Sequence, residues 1–182
     1  LRQDKELIRR FDAYGMEAMT GAVPMHSSLG FDATVTSLLA PLAAGLEVAI
    51  PPGPNGLAAL CEALQNGARY GLIKVTPSHL STLESELARG SAWCRPDVMV
   101  LGGDALSYDA LAFCRREAPA MRIVNEYGPT ETSVGSSSFE VGALDSGPVP
   151  IGRPIGDTRC YVLDAAMQPL PVGAAGELYI GG

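Results

Sequence analysis

The chain is poor in the residues that build metal centres, disulfide frameworks and nucleic-acid interfaces. Its 182 residues include only two histidines and four cysteines. The cysteines (Cys61, Cys94, Cys114 and Cys160) are widely spaced and form no CxxC pair, so no zinc site is expected. Free thiols buried in a protein of the reducing cytoplasm are the simplest account of them. Basic residues are also scarce, 13 Lys and Arg against 20 Asp and Glu, for a formal charge of −7 and a pI near 4.8. That balance argues against a polyanion-binding surface, so nucleic acid is not an expected partner. No apolar run approaches the length of a membrane span, and Leu1-Arg2-Gln3-Asp4-Lys5-Glu6 is too polar for a signal peptide. Internal repeats and low-complexity tracts are missing too.

What remains is a well-buried globular chain, 47% hydrophobic with mean hydropathy +0.15, and long enough for one sizeable core. Leu7, Ile8 and Phe11 predict a short amphipathic helix over residues 4–14, and residues 25–28 read as a strand. From Thr34 the set Val35, Leu38, Leu39 and Leu42 marks a helical face that Pro41 should kink or end. Strands are expected at 47–50, 72–75, 98–101 and 121–125. Helices should alternate with them: one capped by Asn55 and closed by Gly67, one opened by Thr76-Pro77 and stopped near Gly90, one capped by Ser107 and running to about Glu117. This alternation predicts an α/β fold with a largely parallel sheet and flanking helices. Beyond Ser133, Ser and Gly accumulate and Pro148, Pro150 and Pro154 punctuate, with β-like runs at 159–163 and 177–180. A boundary is expected near 145–155, giving an α/β core subdomain over 1–150 and the beginning of a β-rich subdomain over 151–182.

Several residues stand out chemically. Asn125-Glu126-Tyr127-Gly128-Pro129-Thr130-Glu131 follows an expected strand, and ligands of open α/β sheets bind at such carboxyl ends. Tyr127 can stack on a purine, Thr130 can donate to a phosphate and Glu131 can hold Mg²⁺; by residue type alone the segment is a Gly-Pro turn with a solvated charge. Asp32 reads as a helix N-cap. Gly102-Gly103-Asp104 reads as a strand-to-helix loop. Lys74 interrupts the strand Leu72-Ile73-Lys74-Val75, where its ammonium must either reach solvent or find a partner.

Three segments, in order, carry a resemblance to one family. Residues 125–131, NEYGPTE, resemble the adenine- and magnesium-binding motif of the adenylation domains of nonribosomal peptide synthetases, which are adenylate-forming enzymes. SLGFDATVTS at 28–37 resembles their substrate-amine segment, and the stretch from VPIGRPIGDTRCYVLD to GELYIGG (149–182) resembles the approach to their next core motif. The resemblance implies the large N-terminal domain of that fold and ATP-dependent activation of an amino acid as aminoacyl-AMP. It also implies transfer to the phosphopantetheine thiol of a peptidyl carrier protein domain, with neighbouring synthetase domains as further partners.

By that resemblance the amino-acid site would be lined by Asp32, Ala33, Thr36, Lys74, Val100, Gly102, Glu126, Val134 and Gly135, with Asp32 meeting the substrate α-ammonium. Gly102, Gly103, Asn125, Glu126, Tyr127, Gly128 and Thr130 would face the nucleotide, Thr130 and Glu131 would serve catalysis, and Glu131 would hold Mg²⁺. The family commonly shows Glu where this chain has Asp104, so no role is assigned to that residue. Lys74 and Glu126 together suit a side chain with both an acceptor and a donor, and the pocket resembles the asparagine-selecting pattern. Ala33 is smaller than the residue often found there, which leaves room for glutamine or a modified side chain.

The family's phosphate loop would precede Leu1. Its ribose-binding aspartate, hinge and catalytic lysine would follow Gly182. The chain therefore resembles an internal piece, and alone it is expected to form no adenylate at a useful rate. Two other readings remain at this level: an acyl-CoA ligase, against which Asp32 argues, and a non-catalytic nucleotide-binding fragment.

Overall fold

The computed structural model describes residues 12–16, 19–53, 56–89, 93–132, 134–143 and 146–182. The helix expected over 4–14 therefore falls largely outside the described residues, as do its Leu7, Ile8 and Phe11; its end is a 3-10 turn at Asp12–Tyr14. The architecture is α/β with a mixed sheet. Strands β1 (Val23–Pro24) and β2 (Val48–Ala49) pair in parallel, with helix α1 (Thr34–Ala43) connecting them. The main sheet has five strands in sequence order: β3 (Leu72–Val75), β4 (Val98–Gly102), β5 (Arg122–Tyr127), β6 (Ser137–Glu140) and β7 (Arg153–Pro154). β3, β4 and β5 are parallel, and β6 and β7 add antiparallel. Helices α2 (Leu57–Gln65), α3 (Leu80–Leu87) and α4 (Ala112–Glu117) fill the connections. β8 (Arg159–Leu163) and β9 (Glu177–Gly181) form a separate two-stranded antiparallel sheet.

Side chains alternate between the two faces of a strand, and here each face has its own cluster. Ile73, Val75, Met99, Leu101 and Ile123 pack with Leu60, Leu64, Leu83, Leu111 and Phe113 from the helical layer. The opposite face offers Leu72, Val98, Val100 and Val124 to Tyr14, Met16, Val23 and Ala40. The three parallel strands are largely buried because both faces of the sheet are covered. None of the four cysteines is in a disulfide, and burial pushes the Cys61 and Cys114 thiols up to about 11. Among the described residues no helix is long and apolar enough to cross a membrane.

Several local expectations need correction. The strand expected at 25–28 ends at Pro24, although the Met25 amide still reaches the Ala49 carbonyl at 2.8 Å. α1 runs through Pro41 to Ala43, because a proline in the last turn forfeits only one intrahelical bond. Its buried residues are Thr34, Thr36, Ser37, Ala40 and Pro41, whereas Leu39 and Leu42 are 47% and 56% exposed. Small residues let the helix lie close to the sheet, so the face that the leucines mark points away from it. Asn55 and Gly90 are not described, and Gly56 occupies the cap position of α2. Thr76-Pro77 opens a 3-10 turn at Pro77–His79 before α3 begins. β6 and β7 were not expected at all.

Candidate functional site

The carboxyl ends of β3, β4 and β5 and the start of α1 surround a cleft of about 690 Å³. Asp32, Ala33, Lys74, Gly102, Gly103, Asn125, Glu126, Tyr127, Gly128, Thr130 and Val134 all line it. Residues up to 102 positions apart thus meet in one place. Thr36 and Val100 are buried behind the wall, and Gly135 stands against Glu126. Glu131 is exposed on the loop that follows Thr130 and is not a lining residue.

Lys74 and Glu126 form the floor. Lys74 lies on β3 and Glu126 on β5, and β4 runs between them. Lys74 sits in register with Val100, and Glu126 with Gly102. The missing side chain at Gly102 lets β4 lie close against Glu126; a Cβ there would lie 2.9 Å from the Glu126 backbone carbonyl oxygen. The Lys74 Nζ donates to Glu126 Oε1 and to Thr36 Oγ1 at 3.0 Å. Both charged side chains are almost wholly sequestered, with 6% and 2% exposure. The lysine that broke the apolar pattern of β3 therefore finds a partner inside the protein and does not extend to solvent.

At the mouth, Asp32 does not cap α1. Position 33 is the cap residue and has no side-chain capping bond, while the Asp32 backbone carbonyl accepts from Val35 at 2.9 Å. This leaves its carboxylate available, and Oδ2 accepts from the Thr130 hydroxyl at 2.8 Å. Gly103 holds φ +94, a left-handed conformation that the turn out of β4 requires.

Asn125 points to the other face of β5 from Glu126, and its amide donates to the Pro150 carbonyl at 2.8 Å. That bond ties the 148–151 segment to the sheet, and Pro148, Val149 and Ile151 become one wall of the cleft. The prolines read as punctuation thus have a positional role. Phe31 and Leu106 complete the apolar lining.

Tyr14 is the contributor that sequence reasoning missed. It is 2% exposed, and its hydroxyl donates to Glu126 Oε2 from 112 residues away. Nothing local distinguishes it. Only the separate expectation of a buried carboxylate needing donors could have directed attention to a tyrosine. Among the described residues no group of three or more His, Cys, Asp or Glu side chains forms a metal cluster.

The sequence profile of the AMP-binding enzyme family matches residues 7–182. Tyrocidine synthase 3 of Brevibacillus parabrevis is 36% identical over 162 residues, covering 87% of this chain and 2% of that protein. Bacitracin synthase 3 of Bacillus licheniformis is 37% identical over 164 residues, with the same shares. The chain thus spans about 2% of the length of these relatives. Among solved structures, the nonribosomal peptide synthetase FmoA3 in its α-methyl-L-serine-AMP-bound form superposes with a TM-score of 0.85 at 28% identity. The match covers 97% of this chain and 21% of that one. PA1221, a nonribosomal peptide synthetase protein containing adenylation and PCP domains, superposes with a TM-score of 0.75 at 25% identity, covering 92% of this chain and 34% of that one. The chain belongs to the AMP-binding enzyme family, with nonribosomal peptide synthetases as its relatives.

Proposed function

We propose that these residues are the amino-acid-selecting part of an adenylating ligase in nonribosomal peptide synthesis, with asparagine as the preferred substrate. In the reaction the amino-acid carboxylate attacks the α-phosphate of ATP, giving aminoacyl-AMP and pyrophosphate. The aminoacyl group then passes to the phosphopantetheine thiol of a carrier domain, beside other synthetase domains in the cytoplasm. Asp32 holds the substrate α-ammonium, Thr130 contacts phosphate, and Asn125 and Tyr127 seat adenine. A nearby Mg²⁺ would offset phosphate charge, and Glu131 is a carboxylate of the type such a hard cation takes. A division of the chain near 145–155, with a β-rich unit starting at 151, belongs to the same reading; the separate β8–β9 hairpin supports it.

The observation that carries the substrate assignment is the buried Lys74–Glu126 pair beneath the cleft. Because the two charges satisfy one another, an aliphatic side chain does not leave either isolated, and selection rests on the hydrogen-bonding capacity left over. An ammonium has three donors, and two are used on Thr36 and Glu126. A carboxylate offers about four acceptor sites, and Lys74 and Tyr14 take one each. The remainder is a donor beside acceptors, the complement of a primary carboxamide. Aspartate is nearly the same size but cannot donate to Glu126, which leaves an acceptor unpaired at about 1–3 kcal/mol. Asparagine should therefore be preferred by roughly tenfold to a hundredfold in pyrophosphate exchange by the natural protein containing this chain. Exchange that ranks leucine or phenylalanine above asparagine would overturn the assignment.

The Thr130–Asp32 bond adds a second expectation. A threonine hydroxyl has one proton to donate, so Thr130 cannot serve a phosphate and Asp32 together. The amino acid and ATP each release this contact for the other. Titration calorimetry should show a non-hydrolysable ATP analogue tightening asparagine binding roughly threefold to tenfold, with the same factor in reverse. Independent affinities would show that the contact does not link the two ligands.

A further inference from the structure

We infer that Tyr14 is a specificity-determining residue of the amino-acid pocket, acting by fixing the Glu126 carboxylate. The inference rests on the reading above, in which the Lys74–Glu126 pair meets the substrate side chain. Tyr14 ends the 3-10 turn ahead of β1 and lies in the cluster with Met16, Val23, Ala40 and Val124. Packing there asks only for an aromatic ring. The hydroxyl does something further: it donates to Glu126 Oε2 while Lys74 holds Oε1.

A carboxylate held at one oxygen can rotate about its terminal torsion, which is broad and not confined to staggered wells. Left with Lys74 alone, Glu126 can turn both oxygens onto the ammonium and withdraw its acceptors from the cleft. A second donor from a different element prevents that rotation. Each oxygen then keeps acceptor capacity in a fixed direction, as discrimination between an amide and an acid requires.

Gly135 shows that the chain makes room for this contact. A Cβ at that position would lie 3.0 Å from Glu126 Cδ and 3.2 Å from the Tyr14 hydroxyl. A methyl group would press on both partners. The glycine therefore leaves the space that the tyrosine–glutamate contact occupies. Tyr14 does not line the cleft and acts through Glu126, so it is a positioning residue.

The test is steady-state pyrophosphate exchange by the natural protein containing this chain, using the amino acid it activates best. Tyr14→Phe should raise the KM for that amino acid about tenfold, consistent with losing one hydrogen bond to a charged group. The KM for ATP and kcat should stay within about twofold, and the preference over the next-best amino acid should narrow. In a Glu126→Gln background, Tyr14→Phe should have no further effect on the amino-acid KM, since contacting residues are non-additive. Gly135→Ala, which presses on the same contact from the opposite side, should raise the amino-acid KM without moving that for ATP. An unchanged KM in Tyr14→Phe, an equal loss in both backgrounds, or a loss shared by ATP would each overturn the proposal. If the unmutated protein exchanges with no amino acid, the adenylation reading itself falls, an outcome distinct from normal exchange that Tyr14→Phe leaves untouched.

Discussion

Glu131→Gln should lower amino-acid-dependent pyrophosphate exchange by about 10²–10³ in the natural protein containing this chain. The side chain keeps nearly its volume, so the loss is one of charge. Glu131 is exposed on the loop beyond Thr130, where replacement disturbs no packing. Developing charge on phosphate oxygens is stabilised by a metal ion, and removing one such electrostatic contribution typically costs this much in rate. Circular dichroism should be unchanged, while the magnesium concentration for half-maximal activity should rise. Wild-type activity across a magnesium titration would show that another group holds the ion.

Lys74→Met should destabilise the same protein by about 3–5 kcal/mol, because it strands a buried carboxylate. The value should fall toward the lower end, since Tyr14 still donates to Glu126. Removing the second charge as well, in Lys74→Met/Glu126→Leu, should recover most of the loss, as hydrophobic replacement of a whole buried pair is often neutral. Denaturant midpoints at constant slope would measure this. A double variant no more stable than Lys74→Met would show that the pair is not what makes the single change costly. Recovery in the double variant would mean that the two charges together bring no net benefit to folding.

Much of the fold was legible where one force dominates. The runs that became β3, β4 and β5 are rich in apolar residues and bounded by turn residues, so burial goes far to specify them. Lys74 was conspicuous for the same reason, and its departure from the pattern marked the site. α1 was legible as a helix, yet its orientation was not. The spacing of Val35, Leu38, Leu39 and Leu42 marks a face without saying what covers it, and here Thr36 must reach Lys74. β6 has the unpromising sequence Ser137-Ser138-Phe139-Glu140 and exists through its pairing with β5. That partner is distant information that a local reading does not contain. Tyr14 was invisible for a related cause: its hydroxyl acquires meaning only when the chain brings Glu126 to it.

The two-sided pleat of the main sheet bears on how such a protein can change. Lys74, Val100, Gly102 and Glu126 project toward α1 and Tyr14, whereas Ile73, Met99, Leu101 and Ile123 support the helical layer. Positions on the cleft side and positions under the helical layer are thus interleaved along the same strands, one residue apart, yet segregated in space. Substitutions confined to the even-numbered positions can redraw the chemistry of the cleft while the larger core keeps its packing. A deletion or insertion of one residue in β5 would instead exchange the two sets. Point substitution can therefore reshape the cleft of this scaffold, whereas a length change within β5 cannot do so without disturbing the core.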